Sequence, residues 1–490
     1  MNKKILLVEP AYKTKYPPLG LMKISTYHRK IKNDDVTFVK GCNLKVYDEY
    51  WDRIYISTLF TYTWKETVKT IRFYKETLFN ISNKIFVGGI IATLMPHELF
   101  NETGIQPVEG ILDDPKKIDQ DDDVIIDSLP PDYEILKQVE DSNFKYAYTD
   151  SYLGYATRGC VRRCEFCAVS TLEPKYIPYV RPNIKERIKD VITDSGEKQN
   201  LLLIDNNLLA SPRFDDIIDD IKAAGFIKGA SFGKTKRKRI VDFNQGLDAR
   251  LLTEEKMKRL AEIPLEPMRI AFDHIKYKET YVKAVRLAHK FGQKDMSNYI
   301  LYNYNDSPDD FYERLEINIK LNEEFRNNSA VHTTIYSFPM RYIPLNAKNR
   351  DVNTGNKFWT KRYLRGLQVI LNVIKGPVMP GADFFYQAFG ENSEELKAIL
   401  LMPDDYIRNR VVADWHNIKD RKKRLTPYIK KWLNIHGELS QEENGYLNEV
   451  LSKNIQDIRD AVKNSNKRIK YLLECHLNAE NTIAEYKNVK

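Results

Sequence analysis

Tyr152-Leu153-Gly154-Tyr155-Ala156-Thr157-Arg158-Gly159-Cys160-Val161-Arg162-Arg163-Cys164-Glu165-Phe166-Cys167 is the stretch on which the reading of this chain turns. Its first half, Tyr152–Thr157, has the composition of a β-strand. Its second half carries three cysteines spaced C-x3-C-x2-C, on the loop that leaves the strand's carboxyl end. Barrel folds place their active sites on such loops. Thiolates are soft ligands, suited to iron–sulfur clusters or to zinc. Four protein ligands close a 4Fe–4S cluster; three leave one iron open to a small molecule. A closed structural zinc site needs a fourth Cys or His. No His lies between His97 and His274, and the two other cysteines, Cys42 and Cys475, are far off in sequence. Zinc with a distant fourth ligand, or three thiols without a metal, are the competing readings. Five cysteines, three of them clustered, argue against a disulfide framework.

Outward from this stretch the pattern repeats. Strand candidates Tyr152–Thr157, Leu201–Ile204, Ile240–Asn244, Met268–Phe272, Ser297–Tyr302 and Thr333–Phe338 alternate with helical segments. Those helices are Asn183–Ser195, Phe214–Ala224, Thr253–Ile263, Tyr277–Lys290 and Asp309–Asn322. The rhythm predicts a partial (β/α)6 barrel over residues 151–345. Residues 1–110 alternate too, with apolar runs Ile5–Val8, Val36–Val39, Ile54–Ser57 and Ile85–Val87 and a helical stretch Trp64–Phe79. Near-continuous apolar strands between helices predict a doubly wound, Rossmann-like parallel sheet. Its ligand end would carry Pro10 to Gly20, Thr58 to Tyr62, and Gly88-Gly89. Residues 111–150 are acidic and proline-bearing and read as a linker; residues 346–490 read as mainly helical. The fold class expected is therefore α/β with a helical C-terminal region.

The bulk numbers narrow the function classes. The chain has 490 residues, long enough for two or three domains. With 42% hydrophobic and 30% charged residues it reads as globular and not disordered. No run approaches the roughly 18 apolar residues of a membrane span, and the apolar run after Lys3-Lys4 is four residues long, too short for a signal peptide. A cytoplasmic protein without membrane contact is expected. The net charge of +9 permits an anionic partner without demanding one. Basic runs at Lys234–Arg239 and Lys419–Arg424 read either as solvated faces or as nucleic-acid contacts. No phosphate loop of the G-x-x-x-x-G-K type and no G-x-G-x-x-G is present.

The triplet, with an aromatic residue immediately before its third cysteine, resembles the radical S-adenosylmethionine (SAM) superfamily over residues 150–345. The resemblance implies a 4Fe–4S cluster on Cys160, Cys164 and Cys167, the catalytic cysteines. The open iron is then chelated by the amino and carboxylate groups of SAM, and reduction cleaves the sulfonium to a 5′-deoxyadenosyl radical. It further implies that Phe166 seats the adenine, and that an electron donor such as flavodoxin or ferredoxin serves the cluster. The remaining candidate cofactor contacts are strand-end residues. Leu203-Ile204-Asp205-Asn206-Asn207 stands where the family often has Gly-Gly-Glu; it lacks the glycines, but Asp205 could accept from the methionyl amine, with Asn206 beside it. Asn244, Gln245 and Arg250 end the next strand, and a guanidinium suits a carboxylate. Asp273 and His274 end the one after. The bland readings are that Asp205 or Asn206 caps a helix and that Arg250 pairs with Asp248 or Glu254.

A Rossmann-like domain before the triplet resembles the cobalamin-binding class of that superfamily. Tyr16-Pro17-Pro18-Leu19-Gly20-Leu21, Val87–Thr93 and Leu129–Tyr133 carry the likeness, and Gly88 and Gly89 are its candidate cofactor contacts. The Asp-x-His-x-x-Gly of many cobalamin proteins is missing, so cobalamin and a degenerate docking domain are both open. The expected function is a radical SAM enzyme acting on a small molecule or peptide, with cobalamin-dependent methyl transfer as one form. The alternatives are an RNA-modifying radical enzyme and a non-catalytic iron–sulfur interaction protein. The methylthio-transferase subtype usually has further N-terminal cysteines, and only Cys42 is present. Tyr336, Arg341, Tyr342 and Asn346 are the candidate substrate contacts.

Overall fold

The computed structural model describes residues 2–77, 84–119, 122–328, 332–352, 354–411 and 419–487. Within the segments read above, Leu78, Phe79, Gln120, Asp121 and residues 488–490 lie outside the described residues, as do the side chains of the Lys419–Arg424 run. The chain forms two compact units, Met1–Arg269 with Ile343–Val352, and Ile270–Tyr342 with Asn353–Lys490.

The first unit begins with a five-stranded sheet. Its strands are β1 (Lys4–Glu9), β2 (Asp35–Lys40), β3 (Arg53–Thr58), β4 (Ile85–Gly89) and β5 (Pro107–Val108). They lie in the order β2-β1-β3-β4-β5, all pairs parallel. The helices between them are α1 (Leu19–Thr26), α2 (Trp64–Thr77), α3 (Ile90–Leu94) and α4 (Pro96–Thr103). Ile5, Leu6, Leu7 and Val8 are all fully buried, because a parallel sheet is covered on both faces. Leu6, Val8, Ile54, Ile56 and Val87 pack with Val68, Ile71 and Tyr74 of α2. The strand order reverses between β1 and β3, and sheets of this kind bind ligands beyond the strand ends at such a point.

The six β/α repeats follow in chain order. In the first unit, β6 (Ser151–Gly154), β7 (Asn200–Leu203) and β10 (Val241–Phe243) pair in parallel in the order β10-β7-β6. A small antiparallel hairpin, β8 (Ser231–Phe232) and β9 (Arg237–Lys238), interrupts the approach to β10. The short β11 (Met268–Arg269) comes next, where the sequence predicts a five-residue strand. In the second unit β12 (Asp295–Tyr302) and β13 (Thr334–Arg341) pair in parallel over eight residues. The helices are α5 (Val169–Leu172), α6 (Ile184–Ser195), α7 (Phe214–Ala223), α8 (Glu254–Leu260), α9 (Lys278–Lys290) and α10 (Pro308–Asn328). The architecture is α/β as read, with a Rossmann-like sheet, the repeats of a partial barrel, and a helical C-terminal region.

The hairpin holds the Lys234–Arg239 run. It precedes β10, so it stands at that strand's amino end, opposite the cysteine loop that leaves the carboxyl end of the parallel β6. Beyond residue 360 the described chain is helical, from Lys361–Val373 to Lys467–Lys487. Its core joins Leu367, Phe385, Phe389, Trp432 and Leu472 to Tyr302 and Phe311 of the second unit. Among the described residues no helix is long and apolar enough to cross a membrane.

Candidate functional site

The cysteine loop is gripped by the residues that follow β7. Gly154 and Leu203 are partners in the β6–β7 register, and the Ile204 amide donates to the Gly154 carbonyl at 2.9 Å. The next three side chains all turn to the loop. Asp205 is 2% exposed; its carboxylate accepts from the Ala156 amide at 3.0 and 3.1 Å, the Thr157 amide at 2.5 Å and the Thr157 hydroxyl at 2.7 Å. Burial pushes its pKa up to about 6, against the pull of those donors and of Arg158. Asn206 donates to Glu173 Oε2 at 3.0 Å, and the same oxygen accepts from the Gly159 amide at 2.5 Å. Glu173 Oε1 also pairs with Arg158 at 2.9 Å. Asn207 is 4% exposed and points Nδ2 at Cys160 Sγ, 3.5 Å away.

Gly159 is obligatory at its position. Its φ is +71°, and a Cβ there would lie 2.5 Å from the Lys175 carbonyl oxygen. Cys160, Cys164 and Cys167 are half-buried, and Phe166 with them. The Cys167 amide donates to the Cys164 carbonyl at 3.0 Å, which folds these two cysteines into one turn. The Arg162 amide donates to Cys160 Sγ at 3.3 Å. Among the described residues, no three Cys, His, Asp or Glu side chains converge as a site for one metal ion. A cubane cluster takes its thiolates on different irons, at separate corners, and three half-buried thiols on one loop are a donor set that suits it.

Arg162, from the same loop, reaches Asp248. Asp248 Oδ2 accepts from Arg162 Nε at 2.6 Å and from Arg250 Nη2 at 3.0 Å, while Oδ1 accepts from Arg250 Nε at 2.7 Å. Burial alone would raise the Asp248 pKa, but the two guanidinium groups hold it below the usual carboxylate value. The pairing of Arg250 with Asp248 is thus present, and it ties the end of β10 to the triplet. Asn244 is buried and donates to the Tyr16 hydroxyl at 3.1 Å, which in turn donates to Tyr148 at 3.4 Å. Gln245, the next residue, is exposed.

The Rossmann-like sheet meets this site within the same unit. Gly88 and Gly89 end β4, and α3, which starts at Ile90, packs on α5, the helix that follows Cys167. Gly89 has φ +108°, and a Cβ would lie 2.4 Å from the Thr58 carbonyl oxygen at the end of β3. Farther back, Lys23 of α1 is 4% exposed and donates to the Asp127 carboxylate at 3.1 Å and to the Tyr155 hydroxyl. Burial lowers the Lys23 pKa to about 7, with Asp127 opposing that and Arg187 and Arg158 adding to it.

The structure therefore brings together Cys160, Cys164, Cys167, Phe166, Asp205, Asn206 and Arg250, with Asn244 and Gln245 at the end of β10 and Gly88 and Gly89 at the end of β4, before α3. Asp273 and His274 belong to the second unit. There His274 caps a turn by accepting from the Lys276 amide at 3.1 Å, and the Asp273 carbonyl accepts from Arg314 at 3.0 Å. Tyr336 lies on β13, Tyr342 packs edge-on against Tyr304, and Arg341 ends the strand. Asn346 is exposed in the segment that joins the first unit. Glu173 escapes a reading from the sequence. Asn207, Arg162 and Tyr16 stand in stretches quoted above, the polar run after β7, the cysteine loop and the segment after β1, but none of their partners is legible there.

Comparison with known proteins gives one family match. The model of the Radical SAM superfamily matches residues 155–317. Among solved structures, the chain is similar to the radical S-adenosylmethionine methyltransferase TsrM from Kitasatospora setae with cobalamin and a 4Fe–4S cluster bound. Identity is 15% over 71% of this chain and 77% of that one, with a TM-score of 0.47. The same methyltransferase with tryptophan substrate and a SAM analog bound gives 13%, 70%, 75% and 0.47. Streptococcus suis SuiB bound to S-adenosylmethionine is similar at 13% identity over 46% of this chain and 47% of that one, with a TM-score of 0.30. No curated protein matches the chain.

Proposed function

Residues 155–317 form a radical SAM domain, and from that premise we propose that this enzyme holds a 4Fe–4S cluster on Cys160, Cys164 and Cys167 and cleaves SAM reductively to act on a small-molecule or peptide substrate. The observation that carries the reading is the grip of Asp205, Asn206 and Asn207 on residues 156–160. A cluster with three protein ligands offers an open iron for the methionyl amine and carboxylate and supplies the electron that breaks the sulfonium.

The protein's part is to bind and orient. The three thiols lose their protons on loading, so loading is favoured by the N–H donors around Cys160. Asp205 and Glu173 hold the strand-to-loop transition in place, so the ligand geometry does not have to be assembled at each encounter. Phe166 offers a ring for the adenine. Asn206, Asn244, Gln245 and Arg250 offer polar contacts at the strand ends, with Arg250 held in a fixed orientation by Asp248. A small electron carrier such as flavodoxin or ferredoxin is the reductant.

In its finer form the proposal is cobalamin-dependent methyl transfer. Its support is the parallel sheet whose β4 end, Gly88-Gly89, leads into α3, the helix that packs on α5, and a β1–β3 switch point whose loops run from Pro10 and Thr58. The division into 1–110 (cofactor sheet), 111–150 (connecting segment), 151–345 (radical domain) and 346–490 (helical region) belongs to the same proposal. An RNA-modifying role draws no support from the Lys234–Arg239 hairpin, which stands at the amino end of β10.

The test is anaerobic reconstitution followed by a product assay on SAM with dithionite, with and without cobalamin. 5′-Deoxyadenosine supports the radical reading, and S-adenosylhomocysteine that appears only with cobalamin supports methyl transfer. An intact cluster with no turnover of SAM under either condition overturns both.

A further inference from the structure

Asn207 has an unusual hydrogen-bond account. The residue is 4% exposed. Its Nδ2 lies 3.5 Å from Cys160 Sγ, and its Oδ1 is buried with no hydrogen-bond partner. Its backbone is secured, since its carbonyl accepts from the Tyr176 hydroxyl at 3.2 Å and the Ala210 amide at 3.3 Å. Asp205 and Asn206 on its amino side are anchored as well. The side chain thus stands on a fixed backbone, with one end against a cysteine sulfur and the other left without a partner.

Which end faces the sulfur follows from the chemistry of a loaded site. A metal-bound thiolate has no proton and can only accept, so the amide must present Nδ2–H to it and turn Oδ1 away. That is the orientation observed. An unpartnered buried carbonyl is costly, and a residue that keeps one while aiming its donor at a ligand sulfur is placed for that sulfur. The Arg162 amide, at 3.3 Å, donates to the same atom. N–H donors draw electron density from a ligand sulfur and favour the more reduced, more negative cluster, so they raise its reduction potential.

We infer that Asn207 is a positioning residue that orients Cys160 Sγ and raises the reduction potential of the cluster through its Nδ2–H. The inference rests on the proposed cluster at Cys160, Cys164 and Cys167. The carboxamide touches neither SAM nor the open iron in this role; it acts through Cys160.

The experiment is a redox titration of the anaerobically reconstituted full-length protein, followed by electron paramagnetic resonance, with iron and sulfide counted in parallel. Asn207→Leu keeps the volume and removes the donor. It is expected to bind the same iron as the unaltered protein and to titrate at a lower potential, with an altered spectrum of the reduced cluster. Asn207→His, whose Nδ1–H falls close to the position of Nδ2, is expected to recover most of the shift. If the leucine variant does not fold, Asn207→Ala is titrated in its place with the same expectation. Equal potentials in the unaltered protein and the donor-less variant overturn the inference and leave the cluster reading standing. No iron uptake by the unaltered protein overturns the cluster reading, and the inference with it.

Discussion

Asp205 and Thr157 meet twice: one carboxylate oxygen accepts both the Thr157 amide, at 2.5 Å, and the Thr157 hydroxyl, at 2.7 Å. The same carboxylate takes the Ala156 amide. The chain leaves β6 at Gly154 and reaches Cys160 six residues later, so two consecutive amides at the start of that run are held from the end of the neighbouring strand. The direction in which the loop departs is set there.

Asp205→Ala would leave the buried amides of Ala156 and Thr157 without an acceptor. Each such loss costs about 1–3 kcal/mol, so a destabilisation of about 2–4 kcal/mol is expected in urea unfolding of the apoprotein. Iron uptake on reconstitution should fall as well. An unchanged urea midpoint would show that water or a shifted backbone replaces the carboxylate.

The pKa of Asp205 stands at about 6, above its ordinary value of 3.8, because burial outweighs its hydrogen bonds. A carboxyl raised in the folded state binds more protons folded than unfolded. Its contribution is complete below the unfolded pKa near 4 and is lost as pH rises through about 6. The difference corresponds to about 3 kcal/mol. Urea midpoints of the unaltered protein and of Asp205→Asn, which does not titrate, are expected to diverge in favour of aspartate at about pH 4, close to the ordinary value of 3.8. The advantage of aspartate should shrink by pH 7. A gap that grows with pH would mean that the carboxylate is the favoured form.

Cys164→Ala removes one of three proposed ligands. The reconstituted variant is expected to lose the brown colour and most of its iron and sulfide, and its production of 5′-deoxyadenosine should fall to background. Far-ultraviolet circular dichroism should stay unchanged, because the half-buried Cys164 belongs to a loop and not to the apolar core. Full iron content in this variant would place the cluster on other residues.

Gly89→Ala puts a Cβ 2.4 Å from the Thr58 carbonyl oxygen at a residue with φ +108°. The strained backbone and the contact together are expected to cost about 1–3 kcal/mol. If the sheet end binds cobalamin, the variant should also lose affinity for it in an absorbance titration. Gly445→Ala, an exposed helical position in the C-terminal region where a Cβ meets no atom within 4 Å, is the control and should bind as the unaltered protein does.

Much of this chain was legible from residue order alone. The C-x3-C-x2-C spacing is a local pattern, and a ligand set within eight residues needs no tertiary information to be seen. The strands were legible because a parallel sheet covered on both faces demands unbroken apolar runs such as Ile5–Val8. The helices of the repeats followed from their apolar spacing. The five-residue strand expected at Met268–Phe272 shrank to two residues, since strand ends depend on their neighbours' pairing and not on their own composition.

The partners of the polar residues were a different matter. The sequence allowed Asp205 to cap a helix or meet a ligand, and it left Glu173 and Asn207 without a role. The register of β6 against β7, with Gly154 opposite Leu203, sets Asp205 beside Ala156 and Thr157 and Asn207 beside Cys160, 47 residues away in the chain. Hydrogen bonds are short and directional, so they depend on where two strands end relative to each other. Residue order determined which groups could bind a cluster; the tertiary structure decided which side chains hold the loop of Cys160, and from which direction.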